Sequence, residues 1–134
     1  MNKDRTKRIV LFLLRVVSGL LFLQYGGMKC FDWFGGVPAQ FGGHPAFLSQ
    51  VWIGGVLEFY GGAAILLGLW TRSVAFILSG EMAVAYFQFH QPKGFWPIQN
   101  HGESAVLRCF IFLCFTAHGA GDWTVHALLR RKRE

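Results

Sequence analysis

Four apolar runs, each close to the roughly 20 residues that an α-helix needs to cross a bilayer, dominate this 134-residue chain, and every one carries a charged side chain. The runs are 9–28, 51–69, 73–89 and 104–120. Between the first two, residues 32–50 contain Gly35-Gly36, Pro38, Gly42-Gly43 and Pro45, which stop a continuing helix and mark an external loop. Residues 91–102, with Pro92, Gly94 and Pro97, form a second external loop. Only Trp70, Thr71 and Arg72 separate the second and third runs, short enough to force an antiparallel helical hairpin. The chain is 53% hydrophobic and 15% charged, against about 45–50% and about 25% in soluble domains. Such a composition, with 14 Phe and 5 Trp, would leave large apolar patches on a fold in water. The expected fold is all-α: a single integral membrane domain over 1–134, an antiparallel four-helix bundle. The first run is too long for a secretion signal and no small-residue cleavage site follows it, so no cleavable leader is expected.

The formal net charge of +6 raises the question of nucleic-acid binding. Lys3, Arg5, Lys7 and Arg8 precede the first run, Arg130, Arg131, Lys132 and Arg133 follow the last, and Arg72 lies in the short turn. A phosphate-binding face would not segregate in this way, and neither cluster has an aromatic stacking platform beside it. Nucleic acid is therefore set aside as a partner. Four spans put both termini and the Arg72 turn on one side, and the positive-inside rule makes that side cytoplasmic. Trp33, Trp52, Trp70, Trp96 and Trp123 fall near span ends, where an interfacial aromatic belt belongs. A soluble helical domain with a greasy core leaves these coincidences unexplained.

A charge at the centre of a span costs about 2.5–3.5 kcal/mol on insertion scales, so it faces a protein interior and finds a partner. Arg15, Glu58, Glu81 and Arg108 supply two bases and two acids, one per span. Counting along each span places Glu58 and Arg108 in the outer half, and Arg15 and Glu81 in the inner half or near the midplane. These are the two candidate pairs, with His118 near the inner end. Helical spacing groups Arg15, Ser18, Gly19, Phe22, Tyr25, Gly26 and Lys29 on one stripe of the first span. It groups Gly54, Glu58, Gly61, Ile65 and Gly68 in the second, Ile77, Glu81, Ala85 and Gln88 in the third, and Ser104, Arg108, Ile111, Phe115 and His118 in the fourth.

Two readings of these charges stand side by side. In one, they are interhelical ties without chemistry. In the other, Glu58 and Arg108 form the wall of an outer ligand site, joined at its rim by Tyr25, Lys29, His90, His101 and Glu103, able to hold a polar head group or pass protons to a reducible ring. No catalytic residue is singled out. No metal site is expected, because His90 and His101 lack a third ligand at suitable spacing. Cys30, Cys109 and Cys114 include no C-x-x-C; packing is their default, with Cys30 and Cys109 the pair that a redox role would use.

The same residues resemble the DoxX family of small four-span bacterial membrane proteins along nearly the whole chain. The likeness rests on Leu14-Arg15-Val16, Ser18-Gly19-Leu20-Leu21-Phe22 and Tyr25-Gly26-Gly27-Met28-Lys29; on Glu58-Phe59-Tyr60-Gly61-Gly62 leading to Leu66-Leu67-Gly68-Leu69-Trp70-Thr71-Arg72; and on Glu81-Met82 followed by Ala85. Trp96-Pro97, Asn100, Gly102-Glu103 and Gly119-Ala120-Gly121-Asp122-Trp123 complete it. Where the family commonly carries an acid after a Ser-Leu step, this chain has Thr124, Val125 and His126 after Trp123. The resemblance implies a compact bundle in the bacterial inner membrane whose in-span charges match Arg15, Glu58 and Glu81. It also implies a link to quinone-coupled or thiol-redox enzymes, as a small membrane subunit. The leading expectation is an oxidoreductase accessory subunit that binds a quinone-like ligand and meets a redox partner protein, with a homo-oligomer open. The alternatives are a non-catalytic membrane chaperone or assembly scaffold, and a small transporter, for which four spans give little inverted-repeat signal. The chain has no Rossmann glycine fingerprint, P-loop, haem-attachment motif or Cys cluster, so no tightly bound redox cofactor of those kinds is expected.

Overall fold

The structure, a computed structural model, describes residues 2–133; Met1 and Glu134, the ends of the domain expected from the sequence, lie outside the described residues. Those residues are helical and irregular, with no strand among them. Six α-helices follow in order: α1 Lys3–Phe31, α2 Gln50–Leu67, α3 Thr71–Ala85, α4 Pro97–Asn100, α5 Glu103–His118 and α6 Val125–Arg131. The chain divides into two compact units, one made of the residues up to Thr71 with those from Ala120 onward, the other of Arg72–Gly119.

In the first unit, α1 starts where the Asn2 side chain accepts a hydrogen bond from the Asp4 amide at 3.2 Å, and ends at Asp32, whose φ of 54° breaks the helical path. It spans 29 residues, about 40 Å at 1.5 Å each. Ser49 caps α2 by accepting from the Trp52 amide at 3.3 Å, and Gly68 closes it in the left-handed region at φ 73°. Both α1 and α2 are long and apolar enough to cross a membrane by length and composition. They form an antiparallel hairpin: Lys29 meets Glu58, Gly26 meets Gly55 and Phe59, Gly19 meets Gly62 and Leu66, and Arg15 meets Ile65. The contact is backbone on backbone. A Cβ on Gly19 would lie 2.8 Å from the Gly62 carbonyl oxygen, and a Cβ on Gly62 would lie 2.5 Å from the Leu23 nitrogen. Small residues of this kind let helices approach closely in lipid, where there is no water to drive association.

The buried stripe of α1 is Arg15, Ser18, Gly19, Phe22, Gly26 and Gly27, so the face expected from spacing is the packed one, with Tyr25 exposed beside it and Lys29 half-buried. On α2 the buried stripe is Gly55, Glu58, Gly62 and Ile65, and Gly54 and Gly61 are only half-buried. The expected stripe therefore chose the wrong member of each Gly-Gly doublet.

In the second unit, α3 runs for 15 residues and continues directly into a five-residue π-helical turn, Tyr86–His90. A 3₁₀ turn, Gln91–Lys93, and the short α4 then lead to α5, 16 residues long. Ala75, Leu78, Ser79 and Met82 are the buried residues of α3 beyond Thr71, while Ile77 and Gln88 are exposed. On α5 the buried residues are Ala105, Phe112 and Phe115, while Ser104 and His118 are exposed. Both expected stripes are thus rotated from the packed face, which small and aromatic residues set in place of the charged ones. The Ser79 hydroxyl donates to the Cys109 carbonyl at 2.8 Å and ties α3 to α5. The helix α6, capped by Thr124 accepting from the Ala127 amide at 3.0 Å, was not expected from the sequence.

Candidate functional site

The first unit holds a buried ion pair. Lys29 reaches across from the last turn of α1, and its Nζ lies 2.9 Å from Glu58 Oε1 and 2.8 Å from Oε2. The Glu58 side chain is 6% exposed and that of Lys29 22%, so the carboxylate is inside and the ammonium faces partly out. Gly55 makes the room: a Cβ there would lie 2.8 Å from the Lys29 Cβ and 3.0 Å from the Cys30 sulfur. Cys30 follows Lys29 and turns its thiol toward the Trp52 carbonyl at 3.9 Å. Phe59, beside Glu58, packs edge-on against Phe31 and Trp33, with ring centroids 5.0 Å and 5.5 Å apart. The result is a polar anchor at one end of the α1–α2 hairpin, with an aromatic cluster of Phe31, Trp33 and Phe59 at the same end. Tyr25 lies one turn from Lys29 on α1.

Arg15, at the other end of the hairpin, is 1% exposed. Its Nη1 donates to the Ile65 carbonyl at 3.3 Å, and its Nη2 to the Trp123 carbonyl at 2.5 Å. The guanidinium also lies 5.6 Å from the Phe12 ring, whose edge meets the Trp123 indole. Ile65 is in the last turn of α2, and its carbonyl also accepts from the Gly68 amide that closes the helix, at 3.1 Å. Arg15 therefore fastens the segment after Ala120 to the end of α2.

In the second unit one rim candidate, His90, meets a residue that the sequence argument did not place in the site. Asn100, 1% exposed, donates to the Gly94 carbonyl at 2.7 Å and to the Tyr86 hydroxyl at 3.2 Å, and its side-chain oxygen accepts from the Gly102 amide at 2.8 Å. Tyr86 in turn donates to the Phe95 carbonyl at 2.7 Å and stacks on His90. His90 Nδ1 lies 3.1 Å from the Asn100 carbonyl oxygen, which fixes the tautomer with the proton on Nδ1 and leaves Nε2 as the acceptor. His101 is exposed in the left-handed region at φ 58°, and Glu103 is the exposed first residue of α5. The Asn-x-Gly spacing at 100–102 is the signal that announces this turn, because an Asn side chain readily accepts from the amide two residues on.

Glu81 and Arg108 are half-buried on α3 and α5. Cys109 and Cys114 are free thiols, as is Cys30. Cys109 lies with its sulfur 3.4 Å from the Ser79 hydroxyl. His118, one turn beyond Cys114 on α5, donates from Nδ1 to the Cys114 carbonyl at 3.0 Å. Of the candidate set, Lys29, Cys30 and Glu58 come together in one unit, and His90 is drawn into the Asn100 network of the other.

The DoxX family model matches residues 10–91, a stretch that includes Arg15, Lys29, Glu58, Glu81 and His90. The chain is also 40% identical over 127 residues, 90% of its own length and 90% of the relative's, to an uncharacterized protein of Haemophilus influenzae. No solved structure matches it.

Proposed function

The chain belongs to the DoxX family, and from that premise we propose that it is an integral membrane accessory subunit of an oxidoreductase, which holds a quinone-like ligand at the Lys29–Glu58 anchor. In this reading four helices cross the bacterial inner membrane and both termini are cytoplasmic. The observation that carries it is the buried ion pair between two apolar helices, 2.8 Å long and open on its Lys29 side. An ammonium has three N–H groups, and the two Glu58 oxygens engage at most two of them at once. One remains for a ligand oxygen, so the residues present fit a ring with a carbonyl edge. Trp33, Phe31 and Phe59 form an apolar aromatic cluster at the same end of the hairpin. A bound quinone would supply the electron-accepting ring; the protein's part is to orient that ring and keep a carboxylate and an ammonium at its edge.

The test is solvent extraction and mass spectrometry of protein purified in mild detergent, comparing wild type with Lys29→Met, Glu58→Gln and Arg108→Gln. A defined lipophilic molecule that co-purifies with wild type and is lost in the Lys29 and Glu58 variants supports the reading. Equal retention in all four proteins sinks it. A second reading, a membrane scaffold or chaperone, is favoured by Arg15, a buried charge whose hydrogen bonds serve to fasten the chain. Pull-down from native membranes separates the two: a stoichiometric redox enzyme supports the first, and diverse clients without electron-transfer activity support the second.

A further inference from the structure

At the Arg15 end of the hairpin the first unit has an open groove of about 400 Å³ whose lining includes Gly68, Trp70, Gly121, Thr124 and His126. One of its lining residues is strained. Gly68, Trp70 and Gly121 all have positive φ, and for Trp70, at φ 45°, that is a conformation that L side chains seldom adopt. The Trp70 indole is nevertheless 79% exposed, so the strain presents an aromatic ring outward instead of packing it. Directly behind the wall lies the Arg15 guanidinium: the site where Gly68 would carry a Cβ is taken by Arg15 Nη1 and the Thr124 side chain. Both carbonyls that hold Arg15 are neutral, and its buried Nε has no hydrogen-bond partner among the described residues.

The rim is basic as well. Arg8 reaches the groove through Asp122, the neighbour of Gly121, at 3.1 Å. Arg130 lies one turn along α6 from His126, with Arg131 after it. Asp122 is the acid at this rim, and Arg8 already balances it, so Arg15, Arg130 and Arg131 give the groove a net positive field. An indole at the interface, a small concave surface and a positive field are together what an anionic lipid headgroup meets on a membrane protein.

We propose that this groove binds the phosphate headgroup of an anionic phospholipid, with Trp70 against the glycerol region and the basic rim around the phosphate. The inference rests on the membrane reading above. It concerns the end of the hairpin opposite the Lys29–Glu58 anchor, and it assigns a second site to the chain.

The experiment uses the full chain reconstituted in vesicles of phosphatidylcholine and phosphatidylglycerol in known ratio, re-extracted in mild detergent, with bound lipid quantified by mass spectrometry. Phosphatidylglycerol should be enriched about thirtyfold over its share in the vesicle, the scale set by two basic side chains near a headgroup. Arg15→Gln is the direct variant, but it can unfold the unit. His126→Glu and Trp70→Ala change exposed side chains: the first, by adding a negative charge to the lining, should bring the enrichment close to one, and the second should lower the total lipid retained. Equal retention of both lipids by wild type overturns the proposal and leaves the membrane reading intact, whereas absence of any bound lipid overturns both. Enrichment that survives His126→Glu, or total lipid unchanged in Trp70→Ala, assigns the lipid to the basic tails and overturns the groove. Displacement of the lipid by millimolar inorganic phosphate, with phosphate retained in its place, makes the site one for soluble phosphate and overturns it too.

Discussion

Replacing Gly62 with alanine adds one methyl group where the α1 and α2 backbones touch. That carbon would lie 2.5 Å from the Leu23 nitrogen, 2.8 Å from the Gly19 oxygen and 3.0 Å from the Phe22 carbonyl carbon. Comfortable contacts between such atoms are about 3.5 Å, and all three belong to backbone, so no rotamer change relieves them. The helices must part by several tenths of an ångström. Overpacking of this sort costs about 1–3 kcal/mol, against which alanine recovers about 0.5–1 kcal/mol of helix propensity. The net expectation is a loss of about 1–2 kcal/mol. Gly80 gives the internal control. It lies in the body of α3, is exposed, and a Cβ there would meet nothing within 4 Å. Gly80→Ala should therefore gain about 0.5–1 kcal/mol from propensity alone. Denaturation in mixed micelles with a rising fraction of sodium dodecyl sulfate, followed by tryptophan fluorescence, should shift the midpoint down for Gly62→Ala and up for Gly80→Ala. Equal midpoints for the two variants would refute backbone contact as the basis of the hairpin.

The Lys29–Glu58 pair should behave as a unit: Lys29→Met or Glu58→Gln alone should cost about 1.5–3 kcal/mol by removing a charge-assisted contact, and the double variant should lose less than the sum of the two, measured as a double-mutant cycle in the same denaturation assay. Arg15→Met should release the segment after Ala120, seen as faster amide exchange at Trp123–Ala127 with little change around Lys29. Asn100→Ala leaves the Gly94 carbonyl and the Gly102 amide without their partner and should cost about 2–4 kcal/mol, while exchange of the Gly102 amide rises. Asp122→Asn breaks an exposed pair with Arg8 and should shift the midpoint by no more than about 0.5 kcal/mol.

How much of this was legible depended on whether the deciding signal was a side chain or a backbone atom. The α1 stripe from Arg15 to Gly26 was readable because its charge and small residues recur at a single helical spacing. The α2 stripe was not, because Gly54-Gly55 and Gly61-Gly62 are doublets: both members fall near one face, and only the partner helix decides which is packed. On α3 and α5 the helical spacing predicts a packed face centred on the charged residues; Phe115 of that stripe is buried, but Ala75, Leu78, Met82, Ala105 and Phe112 mark the rest of the face, with Glu81 and Arg108 at its border. The site shows the same division. Lys29 was placed at the rim of a site built on Glu58, and its long side chain brings it into direct contact with that carboxylate. For Arg15 the sequence pointed to a carboxylate. Its hydrogen-bond acceptors in the first unit are the carbonyl oxygens of Ile65 and Trp123, groups that every residue carries and no composition argument can rank. Asn100 was noted through its family resemblance alone, although its spacing to Gly102 already encodes the turn that it closes.

These two ways of holding a base give the hairpin two electrostatically different ends. Lys29 is matched by a full carboxylate at 2.8 Å, so that end is dipolar with no net charge, which suits a neutral ligand with a polar edge. Arg15 is solvated by carbonyl dipoles, which stabilise the cation without cancelling it, so its field extends beyond the protein wall. Both arrangements depend on the same glycine contacts along α1 and α2. A change that widens the hairpin at Gly19 or Gly62 lengthens the reach of Lys29 to Glu58 and of Arg15 to Ile65 together. Gly62→Ala should then weaken neutral-ligand retention at one end and phosphatidylglycerol enrichment at the other in the same protein, whereas His126→Glu acts on the second alone. If Gly62→Ala moves only one of them, the two sites do not share the hairpin as their common support.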